Sequence, residues 1–428
     1  MIRDTEYIFN YPPVYEKIRP AAIWRDNQAK REIALYVHIP FCKKLCHYCL
    51  FNKYLRQPEP VDCYLLALKK EIMVTAAQPA LQNATVAAVY LGGGTPSCLN
   101  TGQLSSILEL CFRRFNIAAA AEITIEANPD SVTVEKLEAL SAMGINRINF
   151  GVQSLNDEEL IMLGCGHTAE QAVEAIKMAF GAGFTNIGID LMYRIPGQTL
   201  AAWQNRLAYI ADLNLSHIAI PELSIDPGSR LYESYRKGKT PPQPDDAQAI
   251  MMYEKGCEIL TAAGYHHYNL GSDFSLAGKE CLYHRMNREA PQKEILGIGA
   301  GAYSHINETV YFNLDSLDEY IESTLTGHLP LGYGKKLSRE EKMARYMIHG
   351  VYFVRVDKKS FAEEFGETMN SVYGDVILHL AELGWVTDGP GEMALTPQGR
   401  LYVDNISKAF YEEKYIIPLD KDKPRKDN

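Results

Sequence analysis

Residues 36–52 read Tyr36-Val-His-Ile-Pro-Phe-Cys42-Lys-Lys-Leu-Cys46-His-Tyr-Cys49-Leu-Phe51-Asn52, an apolar stretch of strand length running straight into a loop with three thiols. Thiolates are the ligands that iron–sulfur clusters use. Three of them at C-x3-C-x2-C spacing can hold three irons of a cubane and leave the fourth open to a small molecule, as a catalytic zinc keeps one position free. A zinc site needs a fourth ligand, which His38 or His47 would supply at an uncommon spacing. A redox dithiol of Cys46 and Cys49 leaves Cys42 unexplained. The stretch therefore favours a [4Fe-4S] centre on Cys42, Cys46 and Cys49.

Outward from this loop, short apolar runs alternate with amphipathic helical stretches, which predicts repeated βα units and a parallel sheet. Strands are expected at Ala34 to Ile39, Thr85 to Leu91, Glu122 to Glu126, Arg147 to Phe150, Asn186 to Leu191 and His217 to Leu223. Helices are expected near Val61 to Ala77, Leu104 to Phe112, Val134 to Met143, Thr168 to Ala182 and Thr199 to Asp212. Six such units make an α/β fold, a partial or full (β/α) barrel, whose chemistry belongs at the strand ends. The segment Arg236 to Asp245 reads as a break, followed by a helix near Ala247 to Ala263 and a Gly-rich strand region at Ile295 to Ser304. After Gly332 the pattern turns helical, over Ser338 to His349 and Asn370 to Leu383, and ends in a small hairpin, a winged-helix-like α+β module without a basic recognition stripe. The expected organisation is an N-terminal extension over 1–32, a core over 33–230, a substrate-side extension over 231–332, the C-terminal module over 333–412 and a solvated tail over 413–428.

Further candidates fall at the strand ends. Gly92-Gly-Gly-Thr95-Pro96 follows the strand ending at Leu91, and its backbone amides could bind a carboxylate or hydroxyl. Glu126 and Asp190 each close an apolar strand, where a carboxylate can accept from ribose hydroxyls or serve as a cap or ion-pair partner. Gln153 sits in the same layer and can donate and accept.

The chain has 428 residues, 46% hydrophobic and 22% charged, enough to bury a large core. Its apolar runs fall short of the roughly 20 residues of a membrane span. A net charge of −10 argues against a nucleic-acid or anionic-membrane partner. Met1 to Tyr11 lacks the layout of a secretory leader, and nine scattered cysteines do not suggest a disulfide framework, so a cytoplasmic location is expected. Cys63, Cys98, Cys111, Cys257 and Cys281 read as ordinary thiols.

Together, Tyr-Val-His-Ile-Pro-Phe-Cys at 36–42, Gly-Gly-Gly-Thr-Pro-Ser at 92–97, Glu-Ile-Thr-Ile-Glu-Ala-Asn-Pro at 122–129, Gly-Val-Gln-Ser at 151–154, Leu-Gly-Ile-Gly-Ala-Gly at 296–301 and Leu-Thr-Pro-Gln-Gly-Arg at 395–400 resemble the radical S-adenosylmethionine (SAM) family that contains oxygen-independent coproporphyrinogen III oxidase (HemN) and the haem chaperone HemW. The likeness runs from about Ala34 to Phe410. It implies cluster ligation by Cys42, Cys46 and Cys49, and contact with SAM by Tyr36, Gly93 and Glu126, with Tyr303 beside it. A second SAM, bound by some members, would meet Tyr48, Gly94, Thr95, Gln153 and Asp190.

Three departures stand out. Cys165 occupies the place of a family arginine at the second SAM pocket. Phe51 stands where the coproporphyrinogen oxidases carry a fourth cysteine. Tyr283-His284-Arg285-Met286-Asn287-Arg288 keeps only His284 and Asn287 of the His-Asn-x-x-Tyr-Trp stretch typical of HemW.

The resemblance implies reductive cleavage of SAM to a 5′-deoxyadenosyl radical, with a flavodoxin- or ferredoxin-type electron donor. A chain without the extra cysteine fits subfamilies that C-methylate aromatic, heteroaromatic or haem-type tetrapyrrole substrates. A HemW-like haem carrier, with His284, His305 or a cysteine as ligand, and coproporphyrinogen decarboxylation are the alternatives.

Overall fold

The computed structural model describes residues 11–14, 16–24, 30–270, 272–289 and 293–415. Residues 1–10 of the expected extension and the Lys-rich tail after Leu419 lie outside them. The first half is a run of βα units: β1 (Arg31–Ile39), α1 (Pro58–Ala76), β2 (Ala84–Gly93), α2 (Thr101–Arg114), β3 (Ile117–Ala127), α3 (Val134–Ala142), β4 (Arg147–Gln153), α4 (Asp157–Leu163), α5 (Ala169–Gly181), β5 (Ile187–Leu191), α6 (Leu200–Ala211) and β6 (His217–Ala219). There follow α7 (Asp246–Ala262), β7 (His266–Asn269), β8 (Asp273–Ser275), α8 (Leu282–Arg288), β9 (Glu294–Ile298), β10 (Tyr303–Ile306), β11 (Thr309–Asn313), α9 (Leu317–Leu325) and β12 (Leu331–Lys336).

One sheet has the order β12-β11-β10-β9-β1-β2-β3-β4-β5-β6-β8-β7. Strands β9 and β1 to β6 run parallel, and the pairings outside them are antiparallel. The sheet is therefore an open, partial barrel rather than a full one. Its seventh parallel strand, β9, comes from the segment expected as an extension of the core. β6 ends at Ala219 instead of Leu223, because Pro221 has no amide to continue the ladder.

The two faces of each strand explain the barrel. On β1, Ile33, Leu35, Val37 and Ile39 join the core packed beneath the helices, whereas Ala34, Tyr36 and His38 occupy the alternate positions and face the interior. The same alternation turns Glu122, Thr124 and Glu126 of β3, and Arg147, Asn149, Gly151 and Gln153 of β4, inward.

Glu71 of α1 ties this wall to the loop after β9. Its carboxylate accepts from Gly299 N (2.9 Å), Asn313 Nδ2 (2.7 Å) and the Tyr320 hydroxyl. Burial outweighs these donors and pushes the Glu71 carboxyl up to about 7. The folded chain thus holds this proton more tightly than the unfolded chain. The stability from this group is full below about pH 4.5 and is lost as pH rises through 7. Glu71→Gln, which sets an amide NH2 against donors, is expected to cost about 1–3 kcal/mol and to flatten the thermal stability profile between pH 5 and 7, read by melting curves across that range.

The C-terminal module comprises α10 (Arg339–Gly350), β13 (Arg355–Asp357), α11 (Lys358–Phe365), α12 (Met369–Glu382), β14 (Val386–Asp388) and β15 (Glu392–Leu395). Its antiparallel sheet has the order β13-β15-β14, a winged-helix-like arrangement around a core of its own. Leu270 N donates to Tyr352 O at 2.8 Å, and Arg288 on α8 meets His349 Nδ1 at 3.3 Å, so the module packs against the open side of the core. No described helix is long and apolar enough to cross a membrane.

Candidate cluster and SAM site

The three-thiol loop leaves the end of β1 and is pinned at both flanks. Tyr54 N donates to Pro40 O (2.6 Å) and Arg56 N to Cys42 O (2.8 Å), closing a short parallel ladder. His47 N donates to Leu163 O and Leu231 N to His47 O, both at 2.8 Å. Asn52 Nδ2 donates to Asp315 O at 2.8 Å. A long loop is thereby held over the mouth of the barrel.

Burial pushes the Cys42 thiol up to about 12 and also raises Cys49, and the neighbouring thiols add to both shifts. Cys46 is held below the ordinary thiol value, first by a hydrogen bond from the Cys165 thiol, then by Lys53, Tyr48 and Lys44. One thiol that ionises readily, gathered beside two that resist it, makes a donor set that a cationic iron centre satisfies. Of the histidines that a zinc site would require, His38 is committed at both ring nitrogens and His47 at Nδ1. Tyr36 Oη donates to His38 Nδ1, and His38 Nε2 donates to Asn52 O, both at 3.2 Å. His47 Nδ1 donates to Met162 O at 3.0 Å.

The glycine segment at the end of β2 lies against this loop. Gly93 has φ +121°, and a Cβ there would lie 2.7 Å from the His38 ring. At Gly94 a Cβ would fall 2.8 Å from Phe41 O and 2.9 Å from Phe41 N. The amides are already in use, since Gly93 N donates to Glu126 Oε2 (3.0 Å) and Gly94 N to Ile39 O (2.9 Å). The expected amide grip on a ligand carboxylate is therefore absent from this arrangement. What the segment provides is close packing and a side-chain-free surface beside the loop. The Thr95 hydroxyl is also committed, to Cys42 Sγ (3.5 Å) and as acceptor from Asn128 Nδ2 (3.3 Å).

Glu126 accepts from Tyr90 Oη at 2.8 Å as well as from Gly93 N, and burial pushes it up to about 7. Asp190 accepts from Asn149 Nδ2 with both oxygens at 3.1 Å, and burial pushes it up to about 6. Gln153 holds φ +66°, an uncommon conformation for a non-glycine, and its Oε1 is buried without a partner among the described residues. Tyr48 packs beside Cys46 and Cys165, within electrostatic reach of Asp190. Tyr303 lies near Tyr283 but under Arg345 of α10, whose guanidinium carbon is 5.7 Å from the ring centroid, so it sits at the seam with the module.

The structure thus brings Tyr36, Tyr48, Gly93, Gly94, Thr95, Glu126, Gln153 and Asp190 around one interior, with Tyr303 at its edge. Sequence reasoning missed Tyr90, Asn149 and the Cys46–Cys165 contact. The first two were within reach, because Tyr90 precedes Gly92 by two and Asn149 precedes Gln153 by four on inward-facing rows.

Comparison with known proteins agrees with this geometry. Residues 36–210 match the radical SAM superfamily and residues 337–402 the HemN C-terminal domain. The chain is 34% identical to the haem chaperone HemW of Bacillus subtilis over 88% of its own length and 99% of that protein. It is 30% identical to the oxygen-independent coproporphyrinogen III oxidase of Escherichia coli over 89% of its own length and 86% of that protein. The structure of coproporphyrinogen III oxidase (HemN) from Escherichia coli superposes with a TM-score of 0.79 at 27% identity, covering 89% of this chain and 90% of that one. The chain belongs to the HemN- and HemW-like family of the radical SAM superfamily, whose members use a [4Fe-4S] cluster and SAM.

Proposed function

We propose that the protein is a HemW-like radical SAM protein that binds a haem-type tetrapyrrole. The observation that carries this is the full-length likeness to HemW from Bacillus subtilis, 99% of which is matched. The cluster loop supports it, since Leu50 and Phe51 are exposed after Cys49 where the coproporphyrinogen oxidases have a further cysteine. C-methylation, expected from the same missing cysteine, gains no support from the full-length relatives.

Cys42, Cys46 and Cys49 would hold the cluster. When bound, it supplies the electron that cleaves SAM. Glu126 and Asp190 would accept from the hydroxyls and amino group of SAM, Gln153 would use its unpartnered oxygen, and Tyr36 and Tyr48 would wall the site and exclude water. Both carboxyls are raised by burial, so they take up protons as pH falls through about 7 and 6, and SAM affinity is expected to decline over that interval. Asn149→Ala removes the amide that donates to both oxygens of Asp190. Its expected effect is a SAM affinity lower by about tenfold at pH 7 and an acid decline shifted to higher pH, read by equilibrium dialysis across a pH series.

Haem titrated into the anaerobically reconstituted protein tests the function. Tight binding of one haem per chain is expected, without turnover of coproporphyrinogen III when SAM and reductant are present. Absence of haem binding together with oxidation of coproporphyrinogen III would overturn the proposal. S-adenosylhomocysteine as a product would return methylation to consideration.

A further inference from the structure

The barrel interior holds a second polar cluster, away from the three thiols. Strand register places Glu126 beside Asn149, Asn149 beside Gly188 and Gly188 beside His217. On the next row Gly151, Asp190, Ala219 and Asp273 follow one another. Helix α8 brings His284 against this wall. His284 Nδ1 lies 3.2 Å from Asp273 Oδ2, and His217 Nε2 lies 3.8 Å from Asp273 Oδ1. One donor atom from each of the three side chains falls within 4.8 Å of the other two.

The 3.2 Å between His284 and Asp273 suits a metal, and the wider 3.8 Å from His217 to Asp273 would close on binding. Nitrogen and oxygen ligands about 2.0–2.1 Å from a tetrahedral zinc stand about 3.3 Å apart. His217 and Asp273 are 1% and 4% exposed, and His217 Nδ1 is buried with no hydrogen-bond partner among the described residues. Supporting groups are in place around the ligands. Asn269 Nδ2 donates to Asp273 Oδ2 at 2.7 Å and orients the carboxylate, whereas Tyr268 Oη, 2.8 Å from His217 Nε2, is the contact that a cation bound at this nitrogen would displace. Asp273 shares this interior with Asp190 and Glu126, and the buried Arg147, whose field also reaches His217, lies on the same wall beside Glu122.

We infer that His217, Asp273 and His284 form a binding site for a divalent first-row transition cation of the zinc or ferrous class, distinct from the cluster site. Two imidazoles and one carboxylate are a borderline set, too nitrogen-rich for Mg²⁺ or Ca²⁺ and without the thiolates that select softer ions. Three protein ligands leave a coordination position open. The His284 side chain is 31% exposed, so the site can be reached, and on the proposed function the open position would take an oxygen donor such as a carboxylate of the bound tetrapyrrole.

Co²⁺ is the probe, added anaerobically to cluster-loaded protein whose three loop thiols are already occupied. One equivalent is expected to bind with the visible ligand-field bands of a four- or five-coordinate site, with no sulfur-to-cobalt charge transfer, and Zn²⁺ should displace it. His284→Gln, at the more open ligand, is expected to weaken binding by about 10- to 100-fold or more. Zn²⁺ should also raise the melting temperature of the unaltered chain, a readout that holds even if the variant folds poorly. Failure of Co²⁺ to bind at millimolar concentration, thiolate charge-transfer bands, or undiminished affinity in a folded His284→Gln variant would overturn the inference and leave the three groups as a hydrogen-bonded relay.

Discussion

Cys46→Ala is expected to lose cluster iron and to lower SAM cleavage by at least about three orders of magnitude, the scale seen when one member of a group that acts as a unit is removed. Cys46 is the thiol best prepared to ionise, because the Cys165 thiol donates to it and Lys53 and Lys44 stabilise its anion. Cys42 and Cys49 are raised by burial and depend on iron to draw off their protons. Cys165→Ala should therefore act differently from Cys46→Ala. It keeps the three ligands but removes the donor, so iron loading becomes more dependent on alkaline pH while the loaded protein still cleaves SAM. Cys63→Ala, at an exposed thiol, is the control. Iron content and 5′-deoxyadenosine formation in the three variants and the unaltered chain check this.

The second large effect is expected at Gly94. A Cβ there meets Phe41 O at 2.8 Å and the backbone of Pro40 and Phe41 at 2.9 Å, and backbone cannot swing aside as a flexible side chain can. Gly94→Ala must push the glycine segment and the start of the thiol loop apart, breaking the Gly94 N to Ile39 O bond. Overpacking of this kind costs about 1–3 kcal/mol, which shifts the equilibrium between the packed and the displaced loop by roughly 5- to 150-fold and lowers iron loading. Gly102→Ala in α2, where the added Cβ has only Asn100 Oδ1 at 3.5 Å, should leave iron content unchanged. Iron-to-protein ratios after identical reconstitution distinguish the two variants.

Much of the parallel core was legible because local pattern and global fold agree there. The apolar runs of β1 to β5 are strands in the structure, and their ends carry the motifs that the spacing singled out. The reading fails where tertiary context decides. α4, with Asp157, Glu158 and Glu159 in its first turn, is short and polar enough to pass for loop, although Asn156 caps it by accepting from Glu159 N. The Gly-rich region at Ile295 to Ser304 reads as one strand but turns back on itself at Gly299, where φ is +110°, to make β9 and β10 antiparallel.

The site divides in the same way. Three thiols close in sequence announce themselves. The Cys46–Cys165 pair and the His217–Asp273–His284 cluster join residues from separate elements, so no spacing rule could have found them. The partners of the glycine segment's amides, Glu126 and Ile39, are visible only in three dimensions.

The decisive measurement is electron paramagnetic resonance of the anaerobically reconstituted, dithionite-reduced protein before and after addition of SAM carrying a nuclear-spin label in its methionine carboxylate and amine. A [4Fe-4S] signal that shifts with SAM and acquires hyperfine coupling to the label is expected, since a cluster held by the three proposed thiolates would leave one iron open to SAM. A cluster signal unchanged by SAM, or a loop that takes up zinc and no iron, would contradict radical SAM chemistry in this chain.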